Sequence, residues 1–380
     1  MHQAALMRAS VMPMRWKHAI EPRHLKRDIH TALFFPGHGV QRVGMANSWM
    51  DHFPRTTSKL LDEMDSILGY SLSSIIRNGP NSSLNQTQNA QPAIMAVSLL
   101  ILRILEQEFG FNIGSRVDYT LGHSLGEFTA LVASQHLEFS DALRLVHRRA
   151  LVMAQCTRQI VQESGDSHGM VALICEDDHI ESLLRTVNEF LDPEAFYPDD
   201  NGHPPCPQVR VANINSPNQI VLSGSLKKIR ALLVQLRQFG GHDPRAVRLK
   251  SDSPFHSPVM LPAAEDMTLA MEEINITFPG AIPCISNVSA LPYKSKDDLK
   301  NLLSRQCVDT VHWWESIRYL HQNEGIQRWI GIGPGKVGRN LVGKEVGRVD
   351  AKGGGVWAIC NPKEMEETLL ALEQTEPKVQ

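Results

Sequence analysis

Five residues, Gly122-His123-Ser124-Leu125-Gly126, restrict the fold of this chain more than any other stretch. They stand between a short apolar run, residues 117–121, and a helix-patterned stretch that continues through Ala133. A strand that yields to a helix over so few residues needs a tight turn. Glycine on either side lets the backbone bend sharply and keeps the way to the serine hydroxyl open. Such a turn belongs at the edge of a mostly parallel sheet covered by helices. The same pattern recurs at residues 31–35 (TALFF), which run into Pro36-Gly37-His38-Gly39, and further strands are expected at 281–286, 328–332 and 356–359. Residues 81–91 (NSSLNQTQNAQ) read as a polar loop, with Pro92 opening an apolar helix at its first turn. Residues 141–155 read as an amphipathic helix carrying Arg144, Arg148 and Arg149.

The middle of the chain changes pattern. A strand at 169–175, a helix at 177–190, strands at 209–214 and 220–223, a helix at 226–239 and a strand at 246–249 follow in turn. That β-α-β-β-α-β order is ferredoxin-like, and residues 192–207, rich in Pro, Asp and Gly, read as a surface loop within it. The expected fold is therefore α/β, a hydrolase-like large domain with an inserted ferredoxin-like small domain. Residues 29–160 and 251–362 make the large domain, 161–250 the small one, and 363–380 a C-terminal helix or tail.

Composition narrows the function. The 380 residues carry a net charge of −3, which does not suit a protein built around a nucleic-acid footprint. The apolar run 93–105 is broken by Ser98 and Arg103 and falls short of the roughly 20 residues that cross a bilayer. It reads as a core helix, and no membrane partner is expected. Six cysteines without a CxxC pair fit neither a zinc ribbon nor a disulfide framework, and point to a reducing compartment. Residues 1–28 hold six basic and two acidic residues. An Arg-rich, acid-poor leader of this kind suggests a mitochondrial transit peptide and a matrix location, against the alternative of a disordered tail.

A serine in a strand-to-helix turn is a candidate nucleophile, and the N–H of the next residue, Leu125, lies at a helix start where it can stabilise an oxyanion. The base must come from sixteen histidines. His256 follows the strand at 246–249, where the chain re-enters the large domain. The residues alone leave it open whether His256 is that base or a solvated loop histidine. His312, beside Trp313-Trp314, reads as a packing residue, and His147 as lying on the exposed face of its helix. No HExxH, and no H-x-E with a later cysteine pair, supports metal catalysis. Gly333-x-Gly335-x-x-Gly338 matches a dinucleotide fingerprint only formally, too near the carboxyl end for paired βαβ units, and reads as a turn beside the active site.

Phe35-Pro36-Gly37-His38-Gly39-Val40-Gln41, Thr87 with Gln91-Pro92-Ala93, Gly122-His123-Ser124-Leu125-Gly126-Glu127, Phe255-His256 and Gly333-Pro334-Gly335-Lys336-Val337 occur in this order. Across roughly residues 30–362 the series resembles the malonyl-CoA:acyl carrier protein transacylases and the related acyltransferase domains of polyketide synthases. The resemblance implies Ser124 as nucleophile, His256 as general acid/base, and the backbone N–H groups of Gln41 and Leu125 as oxyanion hole. It implies Arg149, Gln91, Phe255 and Asn215 as substrate-binding residues, with Arg149 gripping the malonyl carboxylate and the Phe255 ring restricting an α-methyl group. It implies a histidine oriented by a main-chain carbonyl, placed near Glu324, in the role that an aspartate plays elsewhere. His38 and Val40 depart from the Gln and Ser usual there, which implies altered loop packing with activity retained.

The implied partners are malonyl-CoA and acyl carrier protein, with no cofactor and a monomeric enzyme. Lys227, Lys228, Arg230, Arg237, Arg245, Arg248 and Lys250, against the single acid Asp243, form a basic stretch able to steer an acidic carrier or simply a solvated face. A serine hydrolase or thioesterase with the same nucleophile turn is the enzymatic alternative, and a carrier-binding scaffold the non-catalytic one.

Overall fold

The computed structural model describes residues 29–176, 179–191, 209–251, 253–347 and 354–375. The leader 1–28 and the expected loop at 192–207 lie outside them. In chain order the strands are β1 (His30–Phe35), β2 (Tyr119–Gly122), β3 (His168–Ile174), β4 (Val209–Ser216), β5 (Gln219–Ser225), β6 (Arg245–Arg248), β7 (Val311–His312), β8 (Ile326–Ile332) and β9 (Gly355–Ile359). Residues 31–35 are apolar on both faces but for Thr31, as a strand covered on each side must be, and all five are buried. β1 lies inside a parallel sheet ordered β2-β1-β8-β9. Its carboxyl edge, where Phe35 pairs with Gly122, delivers both turns that build the site.

The second sheet is ordered β6-β3-β5-β4-β7, and its first four strands pair antiparallel. With the helices Ile180–Leu191 and Leu226–Gln238 they make the ferredoxin-like unit, whose own core includes Leu173, Leu183, Val187, Ile220 and Leu236. β7 is an unexpected addition. It leaves the large domain to pair in parallel with β4, helped by the Thr310 hydroxyl, which donates to the Val211 carbonyl at 2.7 Å. A two-residue strand carries no periodicity from which to predict it. His312 in it is only partly buried and lies 3.4 Å from Glu315, while the neighbouring Trp313 fills the core.

Three other expectations need correction. The helix Thr87–Phe109 begins five residues before Pro92, which sits inside it. Asn89 and Gln91 are polar because they are buried against side-chain partners, and their polarity does not mark a loop. Residues 281–286 form no strand. They run beside β2 through Thr120 N–H to Pro283 O and Ile285 N–H to Thr120 O, and Pro283 has no N–H with which to continue a ladder. His147 is half-buried, its ring 5.6 Å from that of Tyr70. The helix carrying it is Phe139–Ser164, longer than the periodicity indicates, and it ends at Gly165 in the left-handed region (φ 63°). Among the described residues no helix is long and apolar enough to cross a membrane.

Candidate active site

The two glycines of the turn are required by close approach. A Cβ on Gly122 would fall 1.9 Å from the Gly126 carbonyl carbon, and one on Gly126 would fall 2.4 Å from the Phe35 carbonyl oxygen. The strained backbone belongs to the serine itself, at φ 52°. His256, at φ 56°, is strained in the same way. A non-glycine residue held there costs about 1–2 kcal/mol, so the surroundings must fix it. For Ser124 they do so through its N–H, which donates to Asn287 Oδ1 at 2.6 Å, while Asn287 Nδ2 donates to the Gly122 carbonyl at 2.7 Å.

Ser124 Oγ lies 2.7 Å from His256 Nε2. The other ring nitrogen, Nδ1, lies 2.8 Å from the main-chain oxygen of Gln306. A carbonyl can only accept, so Nδ1 carries the proton and Nε2 turns its lone pair to the serine hydroxyl. The orienting carbonyl is thus at Gln306 and not near Glu324, whose carboxylate instead accepts the hydroxyls of Tyr119 and Tyr319. Gln306 caps the carboxyl end of the helix Lys296–Arg305, where carbonyls lack intrahelical partners and the negative end of the helix dipole favours an imidazolium. Burial, then the positive charge of Arg149, holds the resting imidazole down to about 3. At neutral pH it is a free base beside the hydroxyl.

Arg148 and Arg149 are separated by one helical step and by chemistry. Arg148 reaches outward and forms a two-pronged pair with Asp266, both contacts at 2.8 Å. Arg149 is 1% exposed, over the Phe128 ring and beside the Cys307 thiol, and its two Nη atoms meet amide oxygens. Nη1 donates to Gln91 Oε1 at 2.7 Å and Nη2 to Gln306 Oε1 at 2.8 Å. Among the described residues no carboxylate pairs with it. A buried guanidinium whose fork is held by neutral amides keeps the capacity to pair with a carboxylate. Gln306 links this receptor to the dyad: its main chain holds His256, its side chain holds Arg149, and its Nε2 donates to the Ser124 carbonyl at 2.7 Å.

A cavity of about 390 Å³ opens over the dyad. Ser124, His256, Phe255 and Asn215 line it, together with residues 36–40 of the turn after β1 and Arg248 and Lys250 at its rim. Phe255 meets the His38 ring edge-on at 5.5 Å. Asn215 is occupied by His123 and Gln219, so it shapes the wall. Val337 and Gly338 also line the cavity, which places the Gly333–Gly338 turn beside the active site. Gln41 follows the lining turn, with its side chain bonded to the Gly39 N–H and to Asn85, and Leu125 caps the helix Gly126–Ala133. Arg149 and Gln91 lie behind the dyad and do not line the cavity wall. Reading the residues missed Gln306, Asn287 and Tyr293. Glu127 was visible only as the residue that follows the glycine-flanked turn.

The acyl transferase domain family matches residues 33–180. The malonyl CoA-acyl carrier protein transacylase of Bacillus subtilis is 33% identical over 343 residues, covering 90% of this chain and 97% of the relative. The acyl-carrier-protein-S-malonyltransferase structure from Bartonella henselae superposes with a TM-score of 0.75 at 31% identity, covering 91% of this chain and all of that one. A malonyl-transacylase solved in complex with its type II polyketide acyl-carrier protein superposes with a TM-score of 0.74 at 27% identity, covering 91% and 99%. Likeness that spans both sheets and the turns between them leaves one conclusion: the chain belongs to the malonyl-CoA:acyl carrier protein transacylase family.

Proposed function

We infer that this chain moves a malonyl group from malonyl-CoA to the phosphopantetheine thiol of acyl carrier protein, for fatty-acid synthesis, through an ester on Ser124. Ser124 Oγ attacks the thioester carbonyl while His256 Nε2 takes its proton, and the backbone N–H groups of Gln41 and Leu125 receive the oxyanion. The tetrahedral intermediate collapses, the C–S bond breaks, and His256 returns the proton to the departing CoA sulfur. The carrier thiol then repeats the sequence in reverse, giving ping-pong kinetics. The observation that carries the donor assignment is Arg149, buried one glutamine away from the dyad with no carboxylate paired to it among the described residues. A serine hydrolase needs no such cation. A Phe255 ring at the wall supports discrimination against an α-methyl group.

The test is a transfer assay with malonyl-, methylmalonyl- and acetyl-CoA onto holo carrier protein, with free acid measured alongside. Malonyl-carrier protein in excess over malonate supports transfer. Malonate as the main product would mean a hydrolase.

The solved relative in complex with a carrier protein supports a carrier protein as partner, and the charge of the basic face suits docking of an acidic one there. Lys227, Lys228 and Arg230 are exposed on the helix Leu226–Gln238, and Arg248 and Lys250 continue toward the cavity rim. Reversing Lys227 and Lys228 to glutamate is expected to raise the carrier KM several-fold and flatten its salt dependence, with the malonyl-CoA KM little changed. An unmoved carrier KM would place docking elsewhere. We also propose a mitochondrial matrix location, on the composition of residues 1–28, and a monomeric enzyme.

A further inference from the structure

Glu127 takes no part in the transfer steps, yet it is wholly buried directly behind the nucleophile. Its Oε1 accepts the Asn287 backbone N–H at 2.9 Å and the Tyr293 hydroxyl, and its Oε2 accepts Gln306 Nε2 at 2.9 Å. The same Gln306 nitrogen donates to the Ser124 carbonyl. With two oxygens on that side, the Gln306 amide satisfies its bonds in one orientation, nitrogen toward Glu127 and oxygen toward Arg149 Nη2.

We propose that Glu127 is a positioning residue for donor choice, fixing the direction of the Gln306 amide and thereby the aim of the Arg149 fork. The inference rests on malonyl transfer being the reaction. A carboxylate is needed because it accepts on both oxygens. A glutamine at 127 would offer one acceptor and one donor. With its oxygen toward Asn287 and Tyr293, its NH2 meets that of Gln306, and when reversed it meets the Asn287 N–H. Either way two donors face each other in a dry site, and turning Gln306 away from Arg149 relieves the conflict.

Protonating Glu127 would weaken the same contact, because a neutral carboxyl is a poorer acceptor for Gln306 Nε2 than a carboxylate. Burial pushes this carboxyl up to about 7, against the hydrogen bonds from Tyr293, Asn287 and Gln306 and the charge of Arg149. The other titratable groups around it are Tyr293, Cys284 and Cys307, each raised by burial, and His256, held low beyond Gln306. Glu127 is therefore the member of this cluster that changes charge across neutrality.

The experiment measures kcat and KM for malonyl-CoA and acetyl-CoA in the full chain, as wild type, Glu127→Gln and Glu127→Asp. Glu127→Gln is expected to lower the malonyl-to-acetyl ratio of kcat/KM about tenfold, mainly through the malonyl KM. Glu127→Asp, which keeps two accepting oxygens, recovers part of it. In wild type the ratio declines as pH falls through about 7, while in Glu127→Gln it stays flat. An unchanged ratio in folded Glu127→Gln overturns the proposal. Should that variant not fold, the wild-type pH profile decides: a decline on acidification supports the proposal, and a flat ratio overturns it. Wild-type protein that loads acetyl and not malonyl would refute the donor assignment itself, before any variant is compared.

Discussion

Ser124→Ala is expected to abolish the malonyl ester on the protein and to lower transfer by about four orders of magnitude or more. The expectation follows from a 2.7 Å contact between its hydroxyl and an imidazole whose lone pair is already turned toward it. Neither Thr87 nor Ser253, whose hydroxyls lie 3.5 Å apart, hydrogen-bonds that base among the described residues, so neither replaces the lost oxygen. Alanine can occupy the left-handed backbone no worse than serine, and Asn287 still holds the residue's N–H, so the variant should fold. Intact-mass analysis after brief exposure to malonyl-CoA reads the outcome: an adduct in wild type and none in Ser124→Ala. An adduct that persists in the variant would place the nucleophile elsewhere and remove the covalent scheme.

What could be read from the sequence divides along a physical line. Elements announced by repetition were legible: the apolar run at 31–35, the strand-turn-helix around Ser124, and the β-α-β-β-α-β order of the small domain. Ser124 and His256 were legible too, the first from its glycine-flanked turn and the second from the order of motifs. The group that orients His256 was not. A main-chain carbonyl is present at every residue, and only the end of the helix Lys296–Arg305 makes the one at Gln306 available. Gln91 was misread as loop polarity for a related reason. Its amide faces Arg149, 58 positions along the chain, and no local pattern distinguishes a polar residue facing solvent from one facing a buried cation. Asn287 is likewise 163 positions from the Ser124 N–H that it holds. Side chains that act across such separations acquire meaning only when the fold joins them.

Arg149→Ala is expected to reverse the preference of the enzyme, with malonyl transfer falling by about two to three orders of magnitude in kcat/KM and acetyl transfer falling far less or rising. A malonyl carboxylate brought behind the dyad meets a planar fork that only two amides occupy, and it can replace weak neutral acceptors with a charge-assisted pair. Acetyl offers no such group and leaves the cation desolvated, so the wild-type site works against it. The same substitution has a second, independent signature. The charge of Arg149 is the largest influence after burial that holds the His256 imidazole low, and its removal moves that group upward. The acid limb of acetyl transfer should therefore shift to higher pH in Arg149→Ala, since a more basic imidazole becomes protonated, and useless as a base, sooner on acidification. A bound malonyl carboxylate would neutralise the same field in the wild type, so that seating the correct donor also strengthens the base that attacks it. Equal losses for malonyl and acetyl with an unmoved acid limb would mean that Arg149 serves only to hold Gln91 and Gln306, and the carboxylate receptor would have to be sought at Arg248 and Lys250 on the cavity rim.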